Sequence, residues 1–182
     1  SNNPGNADAL INLGAALQHN GELEAVINSY QQALKISPEC AEAHNNLGST
    51  FLEKGNLDAA INSYKEAVKI KPDFANAYNN MGHALHDKGD RAASLDCYKS
   101  ALKIVPYSPQ AHNNMGNALR EIGDYQEAIK HFDCVASESD PFKPLFWLNS
   151  KAQSLECLYI LGRYAELQER LRELAESGDI NL

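Results

Sequence analysis

Asparagine recurs in this sequence at a fixed interval of 34 residues, at Asn12, Asn46, Asn80 and Asn114. The last three are preceded by a second asparagine, at Asn45, Asn79 and Asn113. A side-chain amide donates and accepts hydrogen bonds at once, which matches the N–H and C=O groups of an extended peptide backbone. These amides are therefore predicted to line a peptide-binding groove. An internal role is the alternative, with repeats copied from one ancestor or amides bonding between adjacent helices.

A second group of polar residues has the spacing of metal ligands. His83 and His86 lie three residues apart, so both rings can face the same side of a helix, near Asp87. The positions equivalent to His83 in the other repeats are Ala15, Ser49 and Asn117. Because a metal site needs three or four ligands, we expect only a polar groove surface here, with no metal and no cofactor.

Composition narrows the classes of function further. No Ser-His-Asp motif, Walker loop or dinucleotide-binding glycine pattern is present, so we expect no catalytic residues and no enzyme in this chain. The formal net charge of -8 argues against a nucleic-acid partner, and no apolar stretch is long enough to span a bilayer. The four cysteines form no C-x-x-C pair, which predicts free thiols in the cytoplasm or another reducing compartment.

The elements that must position the asparagines are paired helices. In the unit from Ala41 to Phe74, apolar residues recur at helical spacing before Gly55, which breaks the helix, and again after it. Prolines close successive units 34 residues apart, at Pro4, Pro38, Pro72 and Pro106. A period of this length predicts an array of stacked helical hairpins, each unable to bury its apolar face alone.

One unit carries the motif of a known family. Its residues Leu47-Gly48, Phe51, Ala60, Tyr64, Ala67 and Pro72 resemble the tetratricopeptide repeat (TPR). The resemblance implies an all-α fold, a right-handed α-solenoid of antiparallel helix pairs. Residues 1–6 would end an upstream repeat, and four repeats would follow at 7–40, 41–74, 75–108 and 109–142. Residues 143–182 would form an insertion and a degenerate fifth hairpin, because the register changes there.

The asparagine pattern is similar to that of the TPR superhelix of O-GlcNAc transferase, where asparagines at the same repeat position line the inner groove. The resemblance implies a protein–protein interaction scaffold that holds an extended peptide. No glycosyltransferase domain is present, so nothing catalytic is carried over. TPR domains that clamp the C-terminal carboxylates of heat-shock chaperones use lysine and arginine on the inner helices. In this sequence the acidic residues Asp8 and Glu42 lie one turn before the corresponding positions, so we do not expect that kind of clamp.

Two other functions remain open from the sequence. The chain could be the substrate-targeting arm of a larger enzyme, such as an O-GlcNAc-transferase-like glycosyltransferase. It could also be a structural protein that self-associates by stacking its ends on other copies. In that case the first unit would expose Leu10, Ile11 or Leu13.

Overall fold

The computed structural model of the chain describes residues 4–18, 22–136 and 145–176. Within these ranges it contains ten α-helices and no strand, which confirms the predicted all-α class. The helices are α1 (Pro4–Gln18), α2 (Leu23–Ile36), α3 (Ala41–Glu53), α4 (Leu57–Ile70), α5 (Ala75–Asp87), α6 (Arg91–Ile104), α7 (Pro109–Glu121), α8 (Tyr125–Ala136), α9 (Leu145–Ile160) and α10 (Tyr164–Glu176).

The helices belong to two compact units, and the chain passes from unit 1 to unit 2 between Pro106 and Tyr107. In unit 1, α1 packs on α2, α3 on α4 and α5 on α6, and the pairs stack through α2–α3 and α4–α5 contacts. In unit 2, α7 packs on α8, α8 on α9 and α9 on α10. At most four residues separate the helices in the pairs α1–α2, α3–α4, α5–α6, α7–α8 and α9–α10, so these pairs are antiparallel hairpins.

Glycine makes the turn inside these hairpins. Gly55, Gly89, Gly123 and Gly162 have φ angles of 79°, 88°, 83° and 68°, in the left-handed region that favours glycine. After Gly55, the backbone N–H of Asn56 donates to the Phe51 carbonyl at 2.8 Å, which satisfies a carbonyl at the end of α3. Arg163 bonds to Leu158 in the same way at 3.0 Å. Gly162 therefore makes the turn between α9 and α10 as Gly55 makes the turn between α3 and α4.

A glycine in the first helix of four hairpins lies against an aromatic ring of the second. If Gly48 carried a Cβ atom, that atom would lie 2.7 Å from Cε1 of Tyr64, which is fully buried. The corresponding shortest distances are 2.8 Å for Gly14–Tyr30, 2.6 Å for Gly82–Tyr98 and 2.6 Å for Gly116–Phe132. Gly48 therefore stands where the two helices of its hairpin cross closely, and a larger side chain would not fit there.

The fifth hairpin is built differently. Gly162 follows Gly123 by 39 residues, so Leu155 and Leu171 stand where the fourth hairpin has Gly116 and Phe132. Leu171 is 39% exposed, whereas Phe132 is fully buried. The glycine–aromatic contact is therefore absent from the described part of this hairpin.

Candidate functional site

The first helices of unit 1, α1, α3 and α5, carry the predicted asparagines, and we call the side that bears them the amide face. Helix α3 contacts α5 directly. Across that contact, Nδ2 of Asn80 donates to Oδ1 of Asn45 at 3.2 Å. Within α3, Nδ2 of Asn45 donates to Oδ1 of Asn46 at 3.4 Å. The structure thus brings three of the predicted site residues together, and all three are half-buried.

Tyrosines from the second helices reach the same region. Burial raises the pKa of Tyr30, and a side-chain hydrogen bond with Asn46 opposes that rise. The Tyr64 hydroxyl donates to Ser49 Oγ at 3.1 Å. The amides therefore do bond between adjacent helices, as one of the alternatives from the sequence requires. An amide offers two donors and two acceptor lone pairs, so one such bond leaves further bonding capacity.

The remaining asparagines have different surroundings. In unit 1, Asn12 is exposed on α1 and Asn79 is half-buried on α5. In unit 2, Asn114 is half-buried on α7. Its neighbour Asn113 accepts a hydrogen bond from Ser150 Oγ at 2.9 Å, which joins α7 to α9. Asn45 and Asn113 occupy the same repeat position. In each unit this asparagine thus bonds to the first helix of the following hairpin, Asn45 to α5 and Asn113 to α9.

Carboxylates lie near the ends of the first helices of unit 1. Glu53 accepts a hydrogen bond from Gln18 at 3.3 Å, between α3 and α1. Asp87 lies 3.9 Å from Nε2 of His83 and 3.7 Å from Nδ1 of His86. Among the described residues, no group of three or more histidine, cysteine or acidic side chains could hold a metal ion. The chemistry of these first helices is therefore amide hydrogen bonding beside exposed carboxylates.

The four cysteines are free thiols, as predicted. Burial, together with the negative charges of nearby Asp96 and Asp90, raises the pKa of the Cys97 thiol to about 11. Burial also raises the pKa values of Cys134 and Cys157. Because the thiolate is the reactive form, none of these three has the lowered pKa of a nucleophilic cysteine.

A histidine pair in unit 2 was not anticipated from the sequence. Nδ1 of His112 on α7 lies 2.8 Å from Nδ1 of His131 on α8. One nitrogen must donate and the other accept, so the contact cannot form when both rings are charged. Burial, together with the positive charge that His112 can carry, lowers the pKa of His131 to about 4. The sequence does carry one signal for this pair. His131 departs from the repeat, because the equivalent residues of the first two repeats are Ser29 and Ser63.

The histidine pair predicts that stability falls in mild acid. The pKa of His131 is lower in the folded chain than its unfolded value of about 6.5, so the stabilisation is present above that pH. It is lost as the pH falls from about 6.5 towards 4, by on the order of 1–2 kcal/mol after allowance for partial exposure. Denaturant titrations at pH 7 and 4.5 measure this loss.

The control for that measurement is His131→Ser, which introduces the residue present at the equivalent position of the first two repeats. Since Glu127 and Lys130 also act on His131, both stay unchanged in the variant. We expect the variant to lose less stability than the parent chain between pH 7 and 4.5. Equal losses in the two proteins would show that the pair does not set the acid sensitivity.

The sequence matches two models of a known repeat family. A family model described as TPR repeat matches residues 19–55 and 48–89. A second model, described as tetratricopeptide repeat, matches residues 73–137. Together the matches cover more than half of the chain. No curated protein matches the sequence significantly.

Solved structures resemble the fold at low sequence identity. A crystal structure of MamA is 20% identical with a TM-score of 0.79, covering 91% of this chain and 94% of that one. A structure of PilF from Pseudomonas aeruginosa is 21% identical with a TM-score of 0.77, covering 96% of this chain and 78% of that one. These similarities support the solenoid fold.

None of the helices in the described ranges has the length and hydropathy of a membrane-spanning segment.

Proposed function

We propose, from the premise that this chain belongs to the tetratricopeptide repeat family, that its amide face holds an extended peptide segment. Members of the family act in general as scaffolds for protein–protein interaction. The observation that carries the finer proposal is the group of half-buried amides of Asn45, Asn46 and Asn80 where α3 meets α5. A polar group at this depth is partly desolvated, so a hydrogen bond to it is stronger than one in open water.

The usual spacing of packed helices would suit an extended peptide that crosses successive first helices. Packed helices lie about 8–10 Å apart, and an extended peptide advances about 3.3 Å per residue. Amides on successive first helices would therefore meet a peptide at about every third residue. Because the main chain is the same in every peptide, binding through these hydrogen bonds would depend little on the amino-acid sequence of the peptide.

Charge would set a second preference. Glu53 and Asp87 are exposed near the ends of α3 and α5, and both are acidic. In unit 1, Lys54 and Lys88 form ion pairs with Glu24 and Asp58 of the preceding hairpins, which satisfies much of their charge. A basic or neutral peptide would therefore be favoured over an acidic one.

The test is the double variant Asn46→Ala/Asn80→Ala. Peptides are first selected on the full chain from a displayed library of 12-residue sequences, and their affinities are then measured by calorimetry. Each lost hydrogen bond has a net value of about 0.5–1.5 kcal/mol, so affinity should fall about 5- to 150-fold. Folding should weaken only modestly, because the higher helix propensity of alanine offsets part of the internal hydrogen bonds that Asn46 and Asn80 lose.

Asn62→Ala is the matched control, because Asn62 is exposed on the second helix α4 and lies off the amide face. It should leave peptide affinity unchanged. N-methylation of the peptide backbone should weaken binding more than scrambling of its sequence. A double variant that binds normally but melts at a much lower temperature would show that the amides are structural.

A further inference from the structure

Three buried polar atoms on the first helices of unit 2 have no hydrogen-bond partner within the described part of the chain. They are Oδ1 of Asn117 and Nε of Arg120, both on α7, and Oε1 of Gln153 on α9. We call these three atoms the α7–α9 cluster. A polar atom that has lost water without gaining a partner carries the full cost of desolvation. A ligand that supplies the partner therefore gains more here than at an exposed group.

Two hydrogen bonds place the cluster where α7 meets α9. Ser150 of α9 donates to Oδ1 of Asn113 on α7 at 2.9 Å, and Nη1 of Arg120 donates to Glu156 of α9 at 3.2 Å. On each helix, the amide of the cluster comes three or four residues after the first of these bonds and three residues before the second. Side chains at this spacing share one face of a helix. Both amides therefore face the contact between α7 and α9.

The second repeat shows which partner the Asn117 oxygen lacks. Ser49 holds the equivalent position, and its Oγ accepts a hydrogen bond from the Tyr64 hydroxyl at 3.1 Å. Phe132 replaces that tyrosine, and its ring lies against the glycine of its hairpin as the ring of Tyr64 does. Because phenylalanine has no hydroxyl, it cannot give Asn117 the donor that Ser49 receives. One departure from the repeat thus creates the unpaired acceptor.

The hydrogen-bonding capacity of the cluster defines a ligand. Its two amide oxygens each accept an N–H donor, and Nε of Arg120 donates to an acceptor. A primary carboxamide offers two N–H donors and one carbonyl oxygen, so it matches the cluster group for group. We propose that the α7–α9 cluster binds the side-chain carboxamide of a glutamine from a partner protein.

Charge favours this neutral ligand over an acidic or a basic one. The Arg120 guanidinium is already paired with Glu156, so the site has no charge left to balance. A carboxylate would face the two amide oxygens, and an ammonium group would face the guanidinium. Each of these contacts is repulsive and discriminates against the charged side chain.

The cluster lies just below the surface. Its three atoms are covered, but the side chains that carry them are only half-buried. The Arg120 side chain is 33% exposed, and its partner Glu156 is 54% exposed. Rotation of these two side chains uncovers the cluster, and exposed side chains change rotamer within nanoseconds. Glutamine is favoured over asparagine because its extra methylene group reaches further below the surface.

The probes are three blocked amino acids, each with an N-acetyl and an N′-methylamide group: glutamine, glutamate and norleucine. Each is titrated into the full chain labelled with 15N, and the Nε–H signal of Arg120 and the side-chain amide signals of Asn117 and Gln153 are followed by NMR. Blocked glutamine should shift these signals saturably, and the other two should bind about tenfold more weakly or not at all. The probes share one backbone, so binding to the amide face of unit 1 would affect all three equally.

Two variants test the cluster itself. Phe132→Tyr supplies the hydroxyl found in the first three repeats and should weaken binding of blocked glutamine about tenfold, because it occupies the Asn117 acceptor. Gln153→Leu removes the second acceptor and should have a similar effect. Gln168→Leu, at an exposed position of α10, is the matched control and should leave binding unchanged.

Four results would overturn the proposal. They are equal binding of the three probes, unchanged binding by both Phe132→Tyr and Gln153→Leu, the absence of a saturable shift with blocked glutamine, and slow exchange of the Gln153 side-chain N–H protons in the free chain. The third result would leave a water molecule as the occupant. The fourth would show that the amides of α7 and α9 already satisfy each other.

Discussion

Replacing Gly48 with leucine is expected to lower the free energy of unfolding by roughly 1–3 kcal/mol through overpacking. A Cβ at this position would lie 2.7 Å from Cε1 and 2.8 Å from Cδ1 of Tyr64. The ring cannot easily move, because it is fully buried and its hydroxyl is bonded to Ser49. The higher helix propensity of leucine, by at most about 1 kcal/mol, offsets only part of this cost. Urea denaturation gives the change.

A double-mutant cycle with Tyr64→Ala shows whether the ring causes the effect. Tyr64→Ala removes the side chain that the new leucine would strike, at the cost of a cavity. The double variant should therefore lose less stability than the sum of the two single losses. Additive losses, or an unchanged midpoint for Gly48→Leu alone, would show that no close crossing exists at Gly48.

The sequence alone indicates this crossing, because a glycine recurs at the position of Gly48 and an aromatic residue at that of Tyr64 in four successive units. A residue that every hairpin needs for packing recurs at a fixed interval. The helical spacing of its neighbours then indicates on which face of the helix it lies. The position of Gly55 was predictable for the same reason, since each turn needs a left-handed residue, whereas Gly162 stands outside the 34-residue period.

The partners of the asparagines were not predictable in the same way. The period places Asn45 and Asn80 on equivalent helices, but it does not say whether two amides turn towards each other or towards solvent. That choice depends on rotamers and on the distance between α3 and α5. The bond between Asn80 and Asn45 follows from those two factors, so only the structure reveals it.

Departures from the repeat were the hardest features to interpret from the sequence. The position of Asp133 holds Gln31, Lys65 and Lys99 in the first three repeats. Those three are exposed, whereas Asp133 is half-buried. A change from a cation to a carboxylate at one repeat position looks like ordinary surface variation. Its partner is far along the chain, in the hairpin where the register changes, so periodicity could not identify it.

That partner is Arg170, which joins three helices of unit 2. Its Nη1 donates to Asp133 Oδ1 on α8 at 2.7 Å and to Ser154 Oγ on α9 at 3.1 Å. The Ser154 hydroxyl donates to the same carboxylate oxygen at 2.8 Å. The hydrogen bond to Asp133 is the main cause that raises the pKa of Arg170. This network lies in the hairpin where Leu171 forms no glycine–aromatic contact, and we infer that it positions α10 instead.

Arg170→Met is therefore expected to loosen α10 while keeping most of the aliphatic bulk of the side chain. Hydrogen bonds to charged groups contribute about 1.5–3 kcal/mol each. The two partners are partly exposed, at 29% and 37% of their side-chain surface, so we expect a total loss of about 1–3 kcal/mol. Hydrogen exchange in α10 should accelerate about 5- to 150-fold, and exchange in α1 to α6 should not change.

Arg172→Met is the matched control, because Arg172 lies two residues further along α10 and is exposed. It removes the same charge from the same helix without touching Asp133 or Ser154. Arg170→Lys should retain only part of the stability, since an ammonium group has one nitrogen, whereas Arg170 donates to Asp133 through Nη1 and to Glu166 through Nη2. If Arg170→Met and Arg172→Met accelerate exchange equally, net charge rather than this network holds α10 in place.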